Sequence, residues 1–322
     1  AYAPPVPNEE FTANNIASKM VHVSYAPKIL VVDTPWFEDT GALDMMGYNY
    51  SLVSPMQFIT VDLYEYNVLF VGRVPTDSVV NALLVRASEV ADWVAAGNGI
   101  VALSEFNEVN KWAWLPLWVD SSLGYHANTV HILDPTHPVM YGLTDADLSN
   151  WVNSYHGYFI DYDPEWQELA EGLEAMGPIT LAATFGNGRI VITHQDPDWH
   201  IYYRYEIGAE KLLRNMIEWV NIHIQYEHDL SVALQAPKLL KPNTSVLLNA
   251  TVRNRGLSNE TGVDFQLLIG GTIVDSTIIS ELIEGESYTL SYLWAPPQTG
   301  TYNVTAYAPS VPSENFTRNN RA

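Results

Sequence analysis

The 322-residue chain contains no cysteine, which removes disulfides, thiolate metal sites and a cysteine nucleophile together. Basic residues are scarce: 15 Lys and Arg stand against 37 Asp and Glu, a formal net charge of -22. With no basic stripe to neutralise phosphates, nucleic acid is not expected as a partner. No run of 18 apolar residues occurs, so no transmembrane segment is expected within the chain, and any export signal or anchor is expected outside it. The acid excess is local, because residues 1–227 hold 29 acidic and 9 basic side chains whereas the rest is near balance, with 8 and 6. At 47% hydrophobic residues the chain has material for two ordinary cores, and two domains are expected.

What is present is a repeat. Residues 1–17 and 306–322 are identical at twelve of seventeen positions, at an offset of 305. Such a match implies head-to-tail units, with both termini lying inside a domain. Residues 1–24 then read as the closing loop and strand of a preceding β-sandwich, the assembly strand being Ile16, Ala17, Ser18, Lys19, Met20, Val21, His22 and Val23. The sandwich at the other end is expected to lack its last strand, leaving an edge that templates another chain.

Residues 25–226 alternate strand and helix patterns. Lys28 to Asp33, Asn67 to Gly72 and Gly99 to Ser104 are short apolar runs of the kind buried on both faces of a parallel sheet. Between the last two, Val79, Val80, Leu83, Leu84, Ala87, Val90 and Val94 predict one helix, entered through Pro75-Thr76-Asp77-Ser78 and stopped at Gly97. Thr129 to Leu133, Ile179 to Thr184 and Gly188 to His194 read as strands, the last two joined by a hairpin-like turn, and Gly208 to His223 as a closing helix. From residue 227 the texture becomes all-β. Strands are expected at Leu230 to Leu234, Ser245 to Arg253, Val263 to Ile269, Thr272 to Ile279, Ser287 to Trp294 and Gly300 to Tyr307, the spacing of an immunoglobulin-like sandwich.

Asn-X-Ser/Thr sequons stand at Asn49, Asn243, Asn249, Asn259, Asn303 and Asn315, five of the six in the last hundred residues. Their clustering points to an exported chain carrying N-linked glycans.

Two resemblances follow from particular residues. Asp229-Leu230-Ser231-Val232, Val252 to Gly256, Gly300 to Val304, Glu314-Asn315 and Asn319-Asn320 resemble, in order, the CARDB β-sandwich of archaeal and bacterial surface proteins. Tyr66 to Gly72, Val94 to Gly99, His137-Pro138-Val139 with Gly142-Leu143, and Phe185 to Val191 resemble the class I glutamine amidotransferase-like fold in its ThuA-like branch. The second resemblance implies a flavodoxin-like parallel-sheet domain, so that the fold class is α/β plus all-β.

In that family a cysteine at a strand-to-helix elbow works with a His-X-Glu pattern. Here the strand ends Ala102-Leu103-Ser104-Glu105-Phe106, so no thioester can form, while His194-Gln195-Asp196 stands where the second pattern would lie. Ser104, His194 and Asp196 are therefore relic candidates in a domain expected to be non-catalytic. Hard oxygen ligands in loops suit calcium, which makes Asp33, Asp39, Asp161 and Asp163 candidate ligands; no other cofactor is expected. Aromatics gather at Trp112, Trp114 and Trp118 and again at Trp199, Tyr202, Tyr203 and Tyr205; residues of this kind form a sugar-binding platform, a protein contact or plain core, and the reading favoured is a subunit contact.

The expectation is a structural repeating unit of an extracellular filament, stalk or surface-layer array, whose partners are copies of itself or adjacent repeat units. The alternative is a secreted hydrolase or carbohydrate-binding module tethered by the sandwich.

Overall fold

The computed structural model describes residues 26–32, 37–73, 75–105, 111–175, 177–222, 224–237 and 239–322, without the side chains of residues 123–125. The assembly strand Ile16 to Val23 and Asp33 lie outside the described residues.

The first part is built on an eight-stranded mixed sheet. Its strands are β1 (Ile29–Val32), β2 (Tyr50–Val53), β3 (Val68–Val71), β4 (Gly99–Leu103), β6 (Val130–Ile132), β8 (Gln167–Gly172), β9 (Pro178–Phe185) and β10 (Gly188–Thr193), in the spatial order β2-β1-β3-β4-β10-β9-β8-β6. The first five pair in parallel, and β9, β8 and β6 extend the sheet antiparallel. A separate antiparallel pair, β5 (Val119–Ala127) with β7 (Tyr155–Tyr162), lies beside it.

Alternate residues of the parallel strands enter two different cores, as the period of two in a strand requires. Ile29, Val31, Val68, Phe70, Val101 and Leu103 share one with helix α7 (Ile207–Val220), through Leu212, Leu213, Met216, Ile217 and Val220. Leu30, Val32, Leu69, Val71, Ile100 and Ala102 share the other with Val79, Leu83, Val90, Trp93 and Val94. Those last five residues lie on two helices, α3 (Asp77–Val85) and α4 (Ala87–Ala95), where one was expected. The break is at Arg86, whose buried guanidinium donates to the carbonyls of Phe58 and Val61 and pairs with Glu89. Helix α1 (Glu38–Met46), the short α2 (Pro55–Phe58) and α5 (Asp145–Leu148), and α6 (Pro197–Arg204) complete this part.

The second part is two three-stranded sheets with their own core. One has the order β11-β12-β15 and the other β14-β13-β16, from β11 (Leu230–Gln235), β12 (Val246–Asn254), β13 (Glu260–Ile269), β14 (Thr272–Leu282), β15 (Ser287–Trp294) and β16 (Val304–Tyr307). Leu248, Ala250, Val252, Val263, Phe265 and Leu267 fill the space between them. All six expected strands are present, with the last shortened at its start.

The closing segment, residues 308–322, folds against this sandwich. Glu314 accepts from the backbone of Leu230 and Val311 and from Asn320, while Phe316 stacks on Tyr226 at 6.1 Å and Asn319 donates to Asp229 at 2.8 Å. Burial lifts the Asp229 carboxyl from 3.8 to about 6, against the Asn319 bond, which lowers it. Between these two values the unfolded chain ionises Asp229 while the folded one keeps its proton. The contribution of this group is thus full below about pH 4 and is lost as pH rises towards 6, by up to about 3 kcal/mol. Urea midpoints of the wild type and Asp229→Asn should diverge across that window, the variant having the flatter profile; parallel profiles would refute this assignment.

Candidate functional site

The carboxyl ends of β1, β3, β4 and β10 converge where open α/β sheets usually bind ligands. Just past their ends β3, β4 and β10 deliver Arg73, Glu105 and Asp196 there. Beyond β3, Arg73 forms ion pairs with Glu38 of α1 and with Glu105, which follows β4. All three side chains are mostly buried, at 7%, 3% and 12% exposure. Lys111 donates to the Arg73 carbonyl at 2.8 Å.

Asp39, in the first turn of α1, meets Asp198 at the start of α6. Burial and the bond to Asp39 push the Asp198 carboxyl well above the ordinary range. Gly72 makes the approach of Asp39 feasible, because any Cβ there would strike its carboxylate.

The third cluster joins β7 to β10 through imidazoles. His156 Nε2 lies 3.1 Å from Asp196 Oδ1, His200 Nε2 lies 3.3 Å from the same oxygen, and His156 Nδ1 faces His126 Nδ1 at 2.8 Å. Glu105 Oε1 is 3.9 Å from His156 Nδ1. Burial pushes the Asp196 carboxyl up, but His156 and His200 beside it together outweigh burial and hold the group below its ordinary value.

The relic triad is not assembled. His194 is fully buried between Phe159 and Trp112, with ring centroids 4.4 and 6.1 Å away, and neither ring nitrogen has a hydrogen bond among the described residues. Burial drives its basicity far down, which leaves a neutral core ring. Ser104 is likewise buried with no partner for its hydroxyl among the described residues, and Asp196 pairs with His156 and His200 in place of His194. The cause is local: β10 ends at Thr193, so strand alternation no longer puts residues 194 and 196 on one side.

Of the aspartates read as calcium ligands, Asp33 lies outside the described residues, and neither Asp39 nor the pair Asp161 and Asp163 falls in a metal-competent group among the described residues. Asp39 is taken up by Asp198, while Asp161 and Asp163 lie at the end of β7, where Asp163 accepts the backbone N–H of Trp118. The metal-competent cluster among the described residues is Glu105, His156 and Asp196. Of the aromatics, Trp112 and Trp114 belong to the core, whereas Tyr203 is half exposed and lines a cleft of about 350 Å³ with Glu38, Arg73, Trp199 and Arg204. The sequon residues Asn49, Asn243, Asn259, Asn303 and Asn315 are exposed, and Asn249, within β12, is half-buried with its oxygen bonded by Ser291.

Residues 227–316 match the family model of the CARDB domain and form a CARDB domain. No curated protein matches the chain. Among solved structures, the CARDB domain of a Pyrococcus furiosus protein is 23% identical over 31% of this chain and 92% of its own, with a TM-score of 0.27. A domain of a putative cell surface protein from Methanosarcina acetivorans is 24% identical over 31% and 88%, with a TM-score of 0.24. A cytoplasmic protein from Salmonella typhimurium LT2 is 15% identical over 61% of this chain and all of its own, with a TM-score of 0.46.

Proposed function

We propose that the chain is a structural repeating unit of an extracellular surface assembly, joined head to tail by β-strand complementation at the edge of its sandwich. The observation that carries this reading is the match between repeat identity and burial. All five positions that differ between residues 1–17 and 306–322 fall, in the second copy, on exposed residues: Ser310, Ser313, Asn315, Arg318 and Arg321. The identical positions include Ala306, Ala308, Val311, Phe316, Asn319 and Asn320, all buried against the sandwich. Residues 1–17 therefore read as the same closing segment of a preceding sandwich, and the part of the repeat that follows Ala17, residues 18–23, is what a neighbouring unit offers to this sandwich's edge.

The geometry of β16 gives the junction a register. Ala306 exchanges both backbone hydrogen bonds with Ala322, and Ala308 donates to Asn320, so even-numbered residues of β16 point their backbone outwards. By the repeat, Ala322 corresponds to Ala17. Beyond Ala17, residues 18–23 of the assembly strand continuing along this edge place Lys19 opposite Val304 and Val21 opposite Tyr302. Val304→Pro removes an outward donor and leaves pairing with β13 intact, a substitution edge strands tolerate. Sedimentation should show concentration-dependent multimers for the wild type and monomers for this variant, with unchanged β-sandwich circular dichroism. A wild type that stays monomeric at every concentration would contradict the reading.

In this reading residues 25–226 are a glutamine amidotransferase-like spacer without thioester chemistry. The order of the five parallel strands, β2-β1-β3-β4-β10, supports a flavodoxin-like ancestry, and the buried, dispersed Ser104 and His194 support a non-catalytic role. Exposed sequons on the sandwich support glycan shielding at the cell surface.

A further inference from the structure

We infer that Glu105, His156 and Asp196 form a binding site for one divalent transition-metal ion of the zinc class, at the carboxyl edge of the parallel sheet. One ligand atom from each lies within 4.8 Å of the others, and the three come from three elements: the turn after β4, strand β7 and the turn after β10. An ion about 2.0–2.2 Å from each ligand needs only a small contraction of this trio. A set with imidazole nitrogen beside carboxylate oxygens favours zinc or cobalt over calcium, which takes oxygen throughout.

A further observation points to a cation. His200, fully buried, reaches to 3.3 Å from Asp196 Oδ1, yet among the described residues neither of its ring nitrogens makes a hydrogen bond of good geometry. It is an imidazole aimed into the cluster, in place to complete four ligands or to orient Asp196 from behind.

The test is a Co2+ titration of the full chain after chelator treatment, followed by visible absorption. One equivalent of Co2+ should bind with the intense d–d bands of low-coordinate, imidazole-ligated cobalt; Zn2+ should displace it and excess Ca2+ should not. His156→Ala and Glu105→Gln should each weaken binding by about 100-fold or more, given that loss of an outer-shell partner alone costs about 10–100-fold. Glu105→Gln is nearly isosteric and keeps the test valid if His156→Ala does not fold. The proposal is overturned if the folded wild type gives only weak, featureless bands typical of surface carboxylates, or if Glu105→Gln leaves binding unchanged.

Discussion

Arg73→Ala is expected to destabilise the first domain by about 3 to 5 kcal/mol, because it leaves two buried carboxylates without their shared counter-charge. Glu38 of α1 and Glu105 of the turn after β4 each pair with a different terminal nitrogen of Arg73, so a single guanidinium links α1 to the end of β4. Arg73→Lys keeps the charge but loses the planar fork that serves two acceptors, and should recover only part of the loss. Nine of the ten tryptophans precede residue 220, so fluorescence-detected urea unfolding reports on this domain. A loss below about 1 kcal/mol would mean the pairs behave as surface salt bridges do, contrary to their burial.

The second large effect is expected at the seam between the domains. Arg255, next to the end of β12, donates to Asp62 at 2.7 Å, to the Tyr64 carbonyl at 2.6 Å and to Ser231 at 2.6 Å, and its guanidinium lies over the Tyr64 ring. Arg253 pairs with Glu65 on the same side, and Tyr226 bonds the Ala96 carbonyl and Asn187. Truncating a buried, hydrogen-bonded charge typically costs about 2 to 5 kcal/mol. Arg255→Ala should therefore split one unfolding transition into two, the sandwich signal separating from the tryptophan signal. Unfolding curves that stay superimposed would show that the seam does not depend on this residue.

How much of this was legible in the sequence depended on chemistry. Strands β1, β3, β4, β9 and β10 are continuous apolar runs, and the helix at 207–220 repeats Leu212, Leu213, Met216, Ile217 and Val220 on one face; such patterns report burial directly. Helix α1 (EDTGALDMM) was missed because it buries Glu38 and Asp39 along with Leu43. Strands β5 (VDSSLGYHA) and β7 (YHGYFIDY) were missed because their polar and aromatic residues show no aliphatic alternation. That omission hid His126 and His156, the imidazoles that change the meaning of Asp196. The split at Arg86 was hidden for the opposite reason: apolar periodicity runs through it, and only a fold that offers the Phe58 and Val61 carbonyls to a guanidinium breaks the helix.

The central claim concerns the edge of β16, and cryo-electron microscopy of the native material, with the denatured mass of its subunit, tests it most directly. The account predicts a head-to-tail filament or array with a fourth strand beside β16, carrying Lys19 of the next unit opposite Val304. The mass then distinguishes one long polypeptide from strand-exchanged subunits. Dispersed particles, or an ordered array in which that edge of β16 faces solvent, would contradict it.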